Sequence, residues 1–224
     1  MNNRFQTVQR AGLSVKNTVL KNTLILLSLT FLFSSITAYL STVTQALPLN
    51  PLLTMIIYFG LIYGIQINRN NGLGIGLVFA LTGFLGYTLG PLLNLYLHAF
   101  SNGAAIISTA FFGTACIFGG LSAYALTTEK DMNYLAGFLT VGTLTVFVLS
   151  LLNVFFLRLP MMDLFVSAGI LLLSSGWILF ELSAIIQGGQ TNYVLATVSI
   201  FVQLFNIFVS LLRILATLSN NRDR

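Results

Sequence analysis

Long apolar runs, interrupted only by short polar clusters, fill the chain from residue 24 to residue 216. Seven runs fall at 24–47, 49–67, 72–97, 103–126, 134–157, 162–187 and 192–216. Roughly 20 mostly apolar residues cross a bilayer as a helix, so each run predicts one spanning helix. Alternation at period two, the mark of barrel strands, is missing, and the helix is the other way to satisfy every backbone group in hydrocarbon. The pattern predicts an all-α integral membrane protein with seven transmembrane helices. Residues 1–21 read as a polar, basic tail, 22–218 as the transmembrane bundle and 219–224 as a short C-terminal tail. The linkers are too short for an inserted soluble domain or catalytic head.

Turn signals separate the runs. Pro48 and Pro51 mark the first turn, and Asn68-Arg69-Asn70-Asn71-Gly72 is a strong signal for the second. Thr127–Asn133, with Glu129, Lys130 and Asp131, is the most charged loop, and Arg158–Pro160 closes the fifth run. Glycines four apart (Gly60 and Gly64, Gly72 and Gly76, Gly86 and Gly90) let neighbouring helices approach closely. Pro91, inside an apolar run, predicts a kink or break in the third helix.

Polar stripes predict which helices face inward. Ser199, Gln203, Asn206, Ser210 and Arg213 share one face of the last helix, and Thr30, Ser34, Thr37, Ser41 and Thr44 share one face of the first. Ser167, Ser174 and Glu181 share a face of the sixth. Such stripes sit poorly against lipid. The last helix, with its amides and arginine, is the best candidate for the centre of the bundle.

Composition agrees with the pattern: 56% hydrophobic residues, 7% charged and a mean hydropathy of +0.91. The net charge of +5 is no nucleic-acid signature, because Arg4, Arg10, Lys16 and Lys21 precede the first span and instead set orientation. They place the N-terminus in the cytoplasm together with Arg69 and Lys130, and seven crossings place the C-terminus outside with Arg158, Arg213, Arg222 and Arg224. A cleaved signal peptide is not expected, since the polar leader and the run behind it are both too long. Cys116 is the single cysteine, so no internal disulfide forms.

Glu181 is the sharpest single residue. It lies about six residues, or roughly 9 Å at helical rise, inside the cytoplasmic end of the sixth span. Intramembrane acids mark ion paths, proton relays or paired structural contacts, against the plainer reading of a side chain reaching for the interface. Arg69 is a candidate partner. Asp163 and Arg158, at the opposite interface, read as solvated anchors. Enzyme chemistry finds no footing: His98 is the one histidine, no metal set can be assembled, no Gly-x-Ser-x-Gly is present, and all lysines lie outside the spans. No cofactor is expected.

From the third span onward the sequence resembles the Bax inhibitor family of membrane proteins. The motifs are Gly83-Phe-Leu-Gly86-Tyr-Thr-Leu-Gly90-Pro91-Leu-Leu-Asn94-Leu-Tyr96, Phe112-Gly-Thr114-Ala115-x-x-Phe118 and Thr127-Thr-Glu-Lys130-Asp131-Met. Phe180-Glu181-Leu-Ser and Asn206-Ile-Phe-Val-Ser210-Leu-Leu add two more, and the likeness covers residues 17 to 216. Gly188-Gly189-x-Thr191-Asn192-Tyr193 and Ala196-Thr197-Val198-Ser199 are similar to the bacterial branch whose members modulate the FtsH protease. The resemblance implies six helices surrounding a central seventh in a bacterial inner membrane. It implies a non-enzymatic function, with FtsH and its associated membrane proteins as partners alongside the lipid bilayer. The alternative it carries is a pH-sensitive cation leak, with calcium as the ion. Leak-forming members pair an acid on the sixth helix with one on the seventh. Glu181 stands at the first position but Gln203 at the second, so one titrating group replaces two. The same relatives carry an arginine near the end of the second span, at or beside Arg69, which implies a lock with Glu181. The candidate gate or ion-sensing residues are therefore Glu181, Gln203, Arg69 and Asn206.

Overall fold

The computed structural model describes residues 2–128, 130–157 and 159–220, with side chains except those of 2–16, 157, 160 and 220. Glu129, Arg158, Arg222 and Arg224 lie outside the described residues, as do the side chains of Arg4, Arg10 and Lys16. The helices are α1 (Asn2–Val43), α2 (Pro51–Asn68), α3 (Gly72–Ala99), α4 (Gly103–Thr127), α5 (Leu135–Leu152), α6 (Pro160–Gln187) and α7 (Tyr193–Asn220). A π-helical turn, Asn153–Leu157, extends α5. No strand occurs among the described residues.

Seven segments are long and apolar enough to span: Asn17–Val43, Pro51–Asn68, Gly72–Ala99, Gly103–Thr127, Leu135–Phe156, Met161–Gln187 and Tyr193–Ser219. This is an all-α, multi-span membrane protein. The last span is the most enclosed, 56% of its apolar window being buried against 6% for α2 and for α5. Its fully buried positions are mostly apolar, however: Ile200, Phe201, Leu204, Ile207 and Leu212. Of the polar stripe expected to point inward, Ser210 is buried, Ser199, Gln203 and Asn206 are half-buried, and Arg213 is exposed. On α1 the stripe is buried at Thr30, Ser34 and Ser41, and on α6 at all three positions.

Three expectations change. The leader, expected as a tail, is helical in backbone from Asn2. It carries no proline, and a helix already nucleated in the span extends into it at little cost. The first span ends at Val43 rather than 47, because Gln45 takes a left-handed conformation with φ 49°. The Ala46 amide then donates to Ser41 O at 3.0 Å and the Gln45 amide to Thr42 O at 3.2 Å, closing the helix as a Schellman motif without glycine. Finally, of the kink or break expected at Pro91, the break does not occur: α3 runs on through it as one helix.

The chain forms two compact units, Met1–Leu95 with Ile185–Phe201, and Tyr96–Ala184 with Val202–Arg224. In the first, α1 lies against the glycine face of α3. A Cβ at Gly86 would collide with Ser34 O and Thr37 Oγ1, and one at Gly90 with Ser41. Gly60, Gly72 and Gly76 have open space instead, so only the Gly86–Gly90 pair serves the close approach expected of all three. That approach explains how Pro91 is tolerated. Proline has no N–H for the carbonyl four residues back, Tyr87 O, and Ser41 Oγ donates to that oxygen at 2.8 Å. Asn94 Nδ2 adds a second link, to Thr42 O at 2.9 Å.

In the second unit α5 meets α6 through glycines on both helices. A Cβ at Gly142 would come within 2.7 Å of Leu173, and one at Gly176 within 2.6 Å of Leu139. Trp177 Nε1 donates to the exposed Thr143 Oγ1 at 2.9 Å, satisfying the indole at the edge of the α5–α6 contact. Where α5 ends, buried Asn153 turns the chain: its Oδ1 accepts from Leu159 N at 3.0 Å and its Nδ2 donates to Asp163 at 2.6 Å.

Candidate functional site

Glu181 occupies the last step of the α6 stripe Ser167, Ser174, Glu181, and all three are buried. The carboxylate residue is 7% exposed and is engaged by a neighbour. It therefore does not reach out to the interface. Two residues on, Ser183 Oγ donates to Lys130 O at 3.3 Å and accepts from the Met132 amide at 3.3 Å. The charged α4–α5 loop is thus pinned to the same stretch of α6. Asp131 shapes that loop, taking the Asn133 amide at 2.9 Å in an Asx turn. Met132 closes it, with 2% exposure.

The second unit holds Glu181, Gln203 and Asn206, the last two half-buried on α7. Arg69 belongs to the first unit and is exposed. What Glu181 and Gln203 offer chemically is one ionisable group and one neutral amide. Among the described residues no three of His, Cys, Asp and Glu gather around one point. A calcium ion takes six to eight oxygen ligands, several of them carboxylates in its tighter sites, and Glu181 is the one carboxylate among the four candidate residues.

Arg69 sits at the α2–α3 turn, whose geometry is set by a residue from the far end of the chain. Asn192 Nδ2 donates to Arg69 O at 3.1 Å and to Asn70 Oδ1 at 2.9 Å. The Oδ1 of Asn192 accepts from the amides of Val194 at 3.0 Å and Leu195 at 3.1 Å, capping α7. One carboxamide therefore starts α7 and ties that start to the turn carrying Arg69. The capping role was legible, since an asparagine directly before an apolar run is a helix-start signal. The tie to Arg69 was not, nor was the role of Ser183, because their partners lie more than 50 residues away in the chain.

Comparison with known proteins agrees with this architecture. The chain is 48% identical over 212 residues to the Modulator of FtsH protease YccA of Escherichia coli strain K12, covering 95% of each protein. It matches the Inner membrane protein YccA of Escherichia coli O6:H1 to the same extent. It is 46% identical over 196 residues to a protein of Pseudomonas aeruginosa, 88% of this chain and 87% of that one. Residues 16–221 match the family described as Inhibitor of apoptosis-promoting Bax1. With seven apolar helices, the Gly86–Gly90–Pro91 seam and a match across nearly its whole length, the chain belongs to the Bax inhibitor family.

Proposed function

We propose that this chain is a non-enzymatic protein of the bacterial inner membrane that binds an FtsH-type membrane protease and adjusts turnover of other membrane proteins. The observation that carries the reading is the 48% identity, over 95% of both chains, to a protein named as a modulator of that protease. The fold suits the role. The spans fill the chain and leave no catalytic head, while the basic leader offers a short segment on the cytoplasmic side. The decisive experiment pairs affinity co-purification from native membranes with a pulse-chase of this protein and of a known membrane substrate. Trimming Asn2–Gln9 is expected to lengthen this protein's half-life and, by occupying the protease longer, that of the substrate. Absence of the protease from the purified complex, with equal half-lives in both strains, would overturn the reading.

A second reading, a cation leak through the polar core, is favoured by one observation: Glu181 is a carboxylate buried within a span. Glu181, Gln203 and Asn206, all in the second unit, are its candidate lining. In proteoliposomes, Glu181→Gln is expected to change the leak rate at least about tenfold if this carboxylate gates ions. Identical flux for parent and variant would leave the modulator reading alone.

A further inference from the structure

A cavity of about 300 Å³ lies where the α2–α3 turn meets the start of α7. Arg69, Asn70, Gly72, Thr191, Asn192 and Tyr193 line it, and no acidic residue does. All of them belong to the first unit. They lie at or next to the ends of three apolar spans, at Asn68, Gly72 and Tyr193, and the ends of a spanning helix are where headgroups are met.

Several hydrogen-bond donors border the cavity. Asn192 spends its carbonyl on the α7 amides and its amide hydrogens on Arg69 O and Asn70 Oδ1, so it builds the wall rather than binding. Asn71 O takes the Gly74 amide at 2.9 Å. The first amides of α3, at Gly72 and Leu73, have no acceptor within their own helix. Beside them stand the exposed guanidinium of Arg69 and the exposed hydroxyl of Thr191. A guanidinium, a hydroxyl and the first-turn amide of Gly72 around an acid-free cavity are the chemistry that recognises a phosphate oxyanion. The surroundings choose its carrier. Leu73, next to Gly72 in the chain, is 71% exposed and Ile67, two residues before Arg69, is 63% exposed, apolar surface of the kind that meets acyl chains.

We propose that this cavity binds the phosphate of an anionic phospholipid headgroup, with Arg69 as its charged anchor. The site owes nothing to the protease reading and stands or falls separately from it. The same oxyanion chemistry would accept soluble phosphate, and the test distinguishes the two sources.

The full chain in neutral detergent is titrated with dihexanoyl phosphatidylglycerol, dihexanoyl phosphatidylcholine or inorganic phosphate, and bound molecules are counted by native mass spectrometry. The parent should retain phosphatidylglycerol in preference to phosphatidylcholine. Arg69→Gln should weaken that retention about five- to tenfold, as expected for one basic residue at a lipid surface, with Arg69→Lys in between. Millimolar inorganic phosphate should not displace the lipid. Displacement by inorganic phosphate would overturn the lipid assignment in favour of a soluble anion. Equal retention of the two lipids, or by parent and Arg69→Gln, would overturn the site itself. Should Arg69→Gln fail to fold, Thr191→Val and the salt dependence of the parent take its place. Retention unmoved by either would likewise overturn the proposal.

Discussion

Ser41 shows how much one side chain can settle. Its hydroxyl replaces the hydrogen bond that Pro91 cannot make, and Gly90 leaves the room for it to arrive. Ser41→Ala therefore strands a part-buried carbonyl and should cost about 1 kcal/mol, read as a lower unfolding midpoint in detergent. Pro91→Ala returns the missing N–H, so the double variant should recover part of that loss, with a coupling of about 1 kcal/mol. Strictly additive losses would mean that Ser41 acts through packing alone. Gly86 is a harsher case. A Cβ there meets Ser34 O and Thr37 Oγ1, both on helix backbone or short side chains that cannot swing away. Gly86→Leu should prevent the α1–α3 seam from closing, while Gly76→Leu, with open space around it, should be tolerated. Gln45 offers the opposite sign. Its left-handed φ of 49° is strained for any residue with a Cβ, and Gln45→Gly should raise stability by about 1 kcal/mol.

Among the elements, α7 is where expectation and structure diverge most usefully. Its stripe of serine, amides and arginine marks a face, but not the buried one. The most enclosed positions are mostly aliphatic or aromatic, Thr197 being a polar exception, and Phe201 meets Phe31 of α1 at 5.0 Å within the first unit. In lipid an amide gains by finding any hydrogen-bonding partner, including at a half-buried seam, so polarity predicts contact with protein but not depth. The α6 stripe is a cleaner guide, since Ser167, Ser174 and Glu181 are all buried. The start of α7 rests on Asn192. Asn192→Ala removes a cap and both ties to the α2–α3 turn, and should speed hydrogen exchange at the Val194 and Leu195 amides by at least about fivefold, the equivalent of about 1 kcal/mol. Unchanged exchange there would show that packing of Val194 and Leu195 holds the turn by itself.

For the whole molecule the open quantity is topology, and two hydrogen-bond pairs bear on it. Asn192 joins the start of α7 to the α2–α3 turn, in the first unit. Asn102 and Ser219 join the end of α7 to the α3–α4 turn, in the second, with Asn102 Nδ2 donating to Ser219 Oγ at 3.0 Å. Each pair ties one end of α7 to a turn bordering α3, within its own unit. With seven crossings, a reporter fused after Arg224 should read as outside and one at Lys130 as cytoplasmic. A cytoplasmic reading at Arg224 would favour a last segment that re-enters.

Sequence alone determined the class and the count of spans, because hydrocarbon admits so few backbone solutions that apolar length nearly dictates them. It also determined the family, through motifs spread over five spans, and it placed Glu181 on a polar stripe of α6 while leaving burial or reach to the interface for the fold to decide. Tertiary structure decided the rest. Which glycine pair is a seam depends on what lies opposite: Ser34 and Ser41 face Gly86 and Gly90, while Gly72 and Gly76 face nothing. Whether Pro91 breaks its helix depends on a hydroxyl from 46 residues away. The setting of Arg69 depends on Asn192, 123 residues on. A short-range pattern records what each segment prefers, whereas these outcomes are fixed by partners that only the folded chain brings within hydrogen-bonding distance.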